Sequence, residues 1–203
     1  TPGVAVAVVT GRSLADIRRL VPVPGLVFAA CHGFEMRVGR RTYFPCGRGL
    51  VRPLTSLAGE LKDALGDIPG CLVEPKGFAV AVHYRLVSRR LWPDVERAVR
   101  RASLPYRKRF DLQVTSGKRV WEVRPSLRWN KGDAALWILR RCAPGAYPIF
   151  VGDDATDEDA FRALRKVGLT ISVGRRRTAA LCAAKDVQGV WRFLRAIGSW
   201  DVR

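Results

Sequence analysis

The sequence predicts an α/β chain in which a mainly parallel sheet is interrupted by an inserted α+β segment. Three observations lead there. Val4-Ala-Val-Ala-Val-Val9 is a short, unbroken, β-branched apolar run, the pattern of a parallel strand covered on both faces. It passes through the polar turn Thr10-Gly11-Arg12-Ser13 into a helix, and the same strand-turn-helix rhythm returns after Pro125. Between roughly residues 70 and 125 the order becomes strand, strand, helix, strand, strand, which belongs to an α+β insertion.

Taken in order, Ser13 with Asp16 forms a capping box, and Leu14, Ile17, Leu20 and Val21 carry a helix to Pro22. A second buried strand spans residues 26–31 and runs into His32-Gly33-Phe34-Glu35. An amphipathic helix covers residues 57–65 and is stopped by Gly66 and Pro69. In the insertion, Phe78-Ala-Val-Ala-Val-His-Tyr84 is a strand, residues 91–102 are a helix, and residues 110–115 and 120–123 flank a Ser116-Gly117 turn. A helix then spans 131–141 and a strand 147–151. Thr156 opens another helix with Asp159 as its capping partner, and a strand follows at 169–173. The last helix is expected to bury Val187, Val190, Trp191, Leu194 and Ile197. The resulting division is a core made of residues 1–69 and 126–203, with a lid at 70–125.

The 203 residues, 48% of them hydrophobic, suffice for such a core and insertion. No apolar run reaches the ~18 residues that a membrane span needs. Five scattered cysteines (Cys31, Cys46, Cys71, Cys142, Cys182) contain no C-x-x-C pair, which reads as a reducing, cytoplasmic setting. A net charge of +18 raises nucleic acid as a partner. The arginines fall as scattered doublets, with one triplet at Arg175–Arg177, a pattern of solvated faces that argues against that partner. The opening Thr-Pro-Gly, directly before a strand, reads as a cut start.

The segment Ile149-Phe-Val-Gly-Asp-Asp-Ala-Thr-Asp-Glu-Asp159 delivers carboxylates from a strand end into the turn before a helix. Ligands gather at such strand ends, and Mg²⁺ takes hard oxygen donors, so Asp153, Asp154 and Asp157 are metal candidates. Helix capping accounts for Glu158 and Asp159 but not for the adjacent like charges of Asp153 and Asp154. Thr10, at a strand end, could hold a phosphate oxygen, and Lys131 could offset phosphoryl charge; a cap and a surface lysine are the plainer readings.

Val8-Val-Thr-Gly-Arg-Ser13, Asn130-Lys-Gly132 and Val151-Gly-Asp-Asp-Ala-Thr-Asp-Glu158 resemble motifs two, three and four of the haloacid-dehalogenase phosphatases. His32-Gly-Phe-Glu35, Glu74-Pro-Lys-Gly-Phe78, His83-Tyr-Arg85 and Lys118-Arg-Val-Trp-Glu-Val-Arg-Pro125 narrow the resemblance to the trehalose-6-phosphate phosphatases. That resemblance implies a Rossmann-like core with a cap, and hydrolysis of trehalose 6-phosphate through an aspartyl-phosphate. It implies Mg²⁺ on Asp153 with Asp154 and Asp157 in support, phosphoryl contacts from Thr10 and Lys131, and sugar contacts from Glu74, Lys76, Arg85 and Glu122. For these last four the alternative is cross-strand ion pairing. The motif context favours substrate contact for Glu74, Lys76 and Glu122, and the sequence does not separate the two readings for Arg85. His32 is expected to order its turn or touch substrate, and His83 to be a sheet residue.

The family's first motif, Asp-x-Asp-Gly-Thr, occurs nowhere in the 203 residues. The nucleophile is therefore expected upstream, and without its strand an unpaired edge and apolar surface are expected beside Val4–Val9. The alternative function is an inactive domain that still binds sugar phosphate.

Overall fold

A computed structural model describes residues 3–126, 128–174 and 177–198. Arg175 and Arg176 of the basic triplet lie outside the described residues. The elements are β1 (Ala7–Val9), α1 (Leu14–Leu20), β2 (Val27–Ala30), β3 (Glu35–Val38), β4 (Arg41–Tyr43), α2 (Val51–Leu65), β5 (Leu72–Pro75), β6 (Val80–His83), α3 (Trp92–Phe110), β7 (Leu112–Gly117), β8 (Val120–Pro125), α4 (Lys131–Cys142), β9 (Ile149–Gly152), α5 (Asp157–Leu164), β10 (Leu169–Val173), β11 (Cys182–Ala184) and α6 (Val187–Gly198). They form two compact units, residues 10–128 and residues 1–9 with 129–203.

In the unit of residues 10–128, β5, β6, β8 and β7 make an antiparallel sheet in that order. Alternation along these strands puts Val73, Val80, Val82, Val123 and Leu112 on one face, and they share one core with Leu54, Leu57, Leu61 and Leu65 of α2 and Val95 and Val99 of α3. Because α2 closes this core, residues 51–65 pack with the inserted sheet, and the sequence boundary at 70 falls inside the unit. Two hairpins depart from the sequence reading. The hairpin β3–β4, turned at Gly39-Arg40, pairs with β2 and has no strong alternation to announce it. The hairpin β7–β8 turns at Lys118-Arg119, two residues beyond the expected site, with Arg119 in the left-handed region.

The other unit holds a parallel sheet in the order β11-β10-β9. Helices α4 and α5 pack closely because Gly132 has no side chain: a Cβ there would sit 2.5 Å from the Asp159 carbonyl oxygen. A reciprocal capping box starts α4, with Asn130 Oδ1 accepting from the Gly132 and Asp133 N–H groups and Asp133 Oδ2 accepting from Asn130 N–H.

Several expectations need correction. Val4 and Val6 are 58% and 53% exposed, so the first strand is not covered on both faces. The apolar stripe of α6 is not buried as expected: Val187, Trp191 and Leu194 are exposed, Val190 and Ile197 are half-buried, and none of the helix's described residues is fully buried. A 3.6-residue period records that a helix is amphipathic, but burial also needs a surface opposite it. Ser13 does cap α1 by accepting from Asp16 N–H, but the Asp16 carboxylate turns to Arg12 and Arg19 instead of completing the box. Thr156 makes no side-chain cap on α5 and donates instead to Asp154.

Candidate active site

The aspartate-rich turn after β9 is organised around a buried ion pair. Lys131 Nζ lies 2.7 Å from Asp157 Oδ1, and both side chains are under a tenth exposed. Asp157 Oδ2 accepts the backbone N–H groups of Asp153 at 3.0 Å and Asp154 at 2.9 Å. One carboxylate thus joins the start of α4 to the loop before α5, and its charge is met by a cation and two amide dipoles. Gly152 makes room for it, since a Cβ there would stand 2.5 Å from Asp157 Cγ and Oδ2. The spacing Gly152-Asp153-Asp154-x-x-Asp157 has a steric reason that the sequence alone does not display.

The three metal candidates therefore differ. Asp157 is engaged through both oxygens. Asp154 accepts from Ala155 N–H and the Thr156 hydroxyl, closing a local turn. Asp153 is exposed, and among the described residues its carboxylate makes no hydrogen bond or ion pair. No group of three His, Cys, Asp or Glu side chains among the described residues converges as a metal cluster. The donor chemistry at this loop, a hard and unengaged carboxylate oxygen on Asp153, fits Mg²⁺. Glu158, a buried neighbour in the same turn, accepts from Ala179 N–H at 2.7 Å and so fixes the loop after β10.

In the unit of residues 10–128, Thr10 is pinned by its main chain: its N–H donates to the Ala29 carbonyl, and its own carbonyl accepts from His32 N–H, each at 2.8 Å. Its hydroxyl oxygen accepts from Arg12 N–H at 3.1 Å, which leaves the hydroxyl hydrogen to donate elsewhere. Cys31 and His32 both hold positive φ, and the His32 ring lies where a Cβ on Gly11 would meet Nε2 at 2.7 Å. His32 thereby orders its turn. Buried Cys31 donates Sγ–H to the Lys76 carbonyl at 2.8 Å, and burial pushes its thiol pKa up to about 11.

The sheet face turned away from α2 and α3 is polar. Glu74 pairs with Ala81 and Ala81 with Glu122, so the two carboxylates share a face two strand spacings apart, about 9–10 Å, with an alanine methyl between them. Lys76, in the turn between β5 and β6, stands 3.8 Å from both Glu74 Oε2 and Glu122 Oε1. His83 is a sheet residue, as expected, at the end of β6; the contact of its Nε2 with Glu74 Oε2 at 2.8 Å was not read from the sequence, although its place on the same face was the available signal. Arg85 is exposed in the turn after β6 and, among the described residues, forms no ion pair with this group. The two Lys76 contacts are long and partly open to water, so they are weak and exchangeable.

The family model for trehalose-phosphatase matches residues 1–189. The chain belongs to the trehalose-phosphatase family. It is 38% identical to the trehalose-phosphate phosphatase of Mycobacterium marinum over 96% of this chain and 52% of that protein. With the Mycobacterium avium protein of the same name it shares 45% identity over 88% of this chain and 48% of that protein. The chain thus spans about half the length of these relatives. Among solved structures, a trehalose-6-phosphate phosphatase related protein superimposes with a TM-score of 0.78 at 26% identity, covering 95% of this chain and 81% of that one. The α/β fold read from the sequence is the fold of this trehalose-phosphatase neighbour.

Proposed function

We propose that this chain supplies the phosphate-holding and sugar-reading parts of a Mg²⁺-dependent phosphatase that hydrolyses trehalose 6-phosphate. The observation that carries the reading is the Lys131–Asp157 pair, which orders the loop and leaves Asp153 exposed and unengaged at the end of a parallel strand. Lys131 has two N–H donors beyond the one aimed at Asp157, and these meet a phosphoryl oxygen. Thr10 donates its remaining hydroxyl hydrogen to another. Asp153 would hold Mg²⁺, with Asp154 shaping the turn beside it, and an ion held there would supply positive charge to offset that of the phosphoryl group. Asp157 positions Lys131 and the loop rather than ligating. Glu74, Lys76 and Glu122 exchange their mutual contacts for sugar hydroxyls, and His83 orients Glu74.

The nucleophilic aspartate and the general acid come from polypeptide carrying Asp-x-Asp-Gly-Thr, which these 203 residues do not contain. That aspartate attacks phosphorus, trehalose leaves with a proton, and water then cleaves the aspartyl-phosphate to free phosphate. The 203 residues alone therefore bind trehalose 6-phosphate without turning it over.

The test has two arms. Phosphate release by the 203-residue chain is expected at background, and fusion to a segment that carries Asp-x-Asp-Gly-Thr on a strand is expected to restore Mg²⁺-dependent release. In the fusion, Asp153→Asn should raise the Mg²⁺ concentration for half-maximal rate and lower turnover by about two orders of magnitude or more. Turnover by the unfused chain would overturn the division of labour. An unchanged Mg²⁺ requirement in the Asp153→Asn fusion would remove Asp153 from the ion.

A further inference from the structure

The outer face of α4 carries aromatic side chains where polar ones are the rule. Ala134, Ala135 and Ile138 turn inward and are buried. Along the opposite stripe, at helical spacing, Trp129, Asp133, Leu136, Trp137, Arg140 and Arg141 line an open cleft of about 580 Å³. That volume lies within the ordinary range of small-molecule sites. Both tryptophans are half-buried, and the 1.5 Å rise of a helix sets them roughly 12 Å apart along its axis. Asp133 lies midway between them in the sequence; its Oδ2 accepts from Asn130 N–H, and among the described residues its Oδ1 makes no hydrogen bond. Arg140 is exposed and forms no ion pair among the described residues. The Arg141 guanidinium stands 5.5 Å from the centre of the Trp137 ring, a cation–π contact that steadies the ring. The Trp129 indole N–H is buried and has no acceptor among the described residues. Such a group calls for a partner.

We propose that this cleft binds a neutral saccharide of at least two linked rings, at a site built from none of the residues of the polar sheet face. Each indole offers a flat, electron-rich surface on which the C–H face of a pyranose ring stacks, and the spacing of Trp129 and Trp137 suits two successive rings. Asp133 Oδ1 accepts from the hydroxyls that flank the glycosidic link, and Arg140 donates to a hydroxyl at the far end. The ligand's oxygens supply an acceptor for the Trp129 N–H once the ring tilts towards them. Two other occupants of paired aromatic rings fit the same lining less well. A dinucleotide stacked on both indoles brings its linking phosphate opposite Asp133, where like charges repel. A proline-rich segment has no N–H on its prolines to give to Asp133. The inference rests on the lining of α4 and does not depend on the phosphatase reading.

The probe is maltose, titrated against the full chain while the indole N–H resonances of its six tryptophans are followed by NMR. Maltose is raised to about 100 mM, enough to fill a site of roughly millimolar affinity. The Trp129 and Trp137 signals, assigned through Trp129→Phe and Trp137→Phe, should shift together and saturate, while those of Trp92 and Trp121 stay in place. Trp137→Phe keeps an aromatic platform and should weaken binding by less than about threefold, whereas Trp137→Ala should weaken it about tenfold. Asp133→Asn retains an oxygen for the helix cap and should weaken binding by about threefold or more. Glu122→Gln should leave the Trp129 and Trp137 shifts unchanged, which separates this site from the polar sheet face. Absence of shifts at Trp129 and Trp137, or unaltered affinity in Trp137→Ala, would overturn the proposal. Tighter binding of a dinucleoside monophosphate or of a polyproline peptide at the same two signals would overturn it as well and reassign the cleft to that class.

Discussion

The two polar clusters of this chain are built in opposite ways. At the aspartate loop, Lys131 and Asp157 meet at 2.7 Å with both side chains almost wholly buried, and the same carboxylate also fixes two backbone N–H groups. On the polar sheet face, Lys76 stands 3.8 Å from each of two glutamates that remain partly open to water. A buried pair with its hydrogen bonds satisfied is rigid, and its loss exposes the desolvation cost of the remaining partner. Long contacts near water are weak and exchangeable. The first arrangement is what the proposed phosphoryl site asks of its scaffold, fixed geometry, and the second is what the proposed sugar-binding face asks, contacts that can be exchanged.

The sharpest way to break the comparison is Asp157→Ala, which strands Lys131 and two amides; a loss of about 3–5 kcal/mol is expected from denaturant unfolding. A loss below about 1 kcal/mol would mean that the pair is not rigid at all. Gly152→Ala is next, since the added methyl must displace the Asp157 carboxylate 2.5 Å away; about 1–3 kcal/mol is expected, with Asp157→Ala and Gly152→Ala together costing less than their sum. On the sheet face, Glu122→Gln should change stability by less than about 1 kcal/mol. In calorimetry it should nevertheless weaken binding of trehalose 6-phosphate much more than binding of a small phosphate ester. Equal weakening of both ligands would assign Glu122 to folding.

The smallest effect is expected at the α2–α3 contact. There the Tyr106 hydroxyl donates a hydrogen bond to the Glu60 carboxylate, which raises the Tyr106 pKa from 10.0 to about 12. Since the folded-state pKa lies above the unfolded value, this contribution is complete below pH 10 and is lost as pH rises from 10 towards 12. Tyr106→Phe should flatten the alkaline fall of the unfolding midpoint over that interval. An unaltered slope would show that the pair contributes nothing there.

Local signals made much of this legible. The apolar runs and strand-turn-helix order forecast β9 and β10, the latter at the expected residues 169–173, while β11, three residues long at Cys182–Ala184, was not read from the sequence. The changed rhythm after residue 70 forecast β5, β6, α3, β7 and β8 in order. The adjacent charges marked Asp153 and Asp154, because neighbouring carboxylates at a strand end are costly without a compensating charge, whereas Asp157 and Lys131 were singled out by the strand-end position and the motif resemblance.

Tertiary structure decided what those residues do. The same three aspartates became a buried organiser, a turn residue and an exposed carboxylate, since burial and hydrogen-bond partners depend on where α4 and β10 lie, not on spacing along the chain. It joined α2 to the antiparallel sheet through Leu54 and Leu61, paired His83 with Glu74 across strands, and left Val4, Val6 and much of the α6 stripe exposed. Periodicity fixes which side of an element is apolar. Only the assembled neighbours determine whether anything covers it.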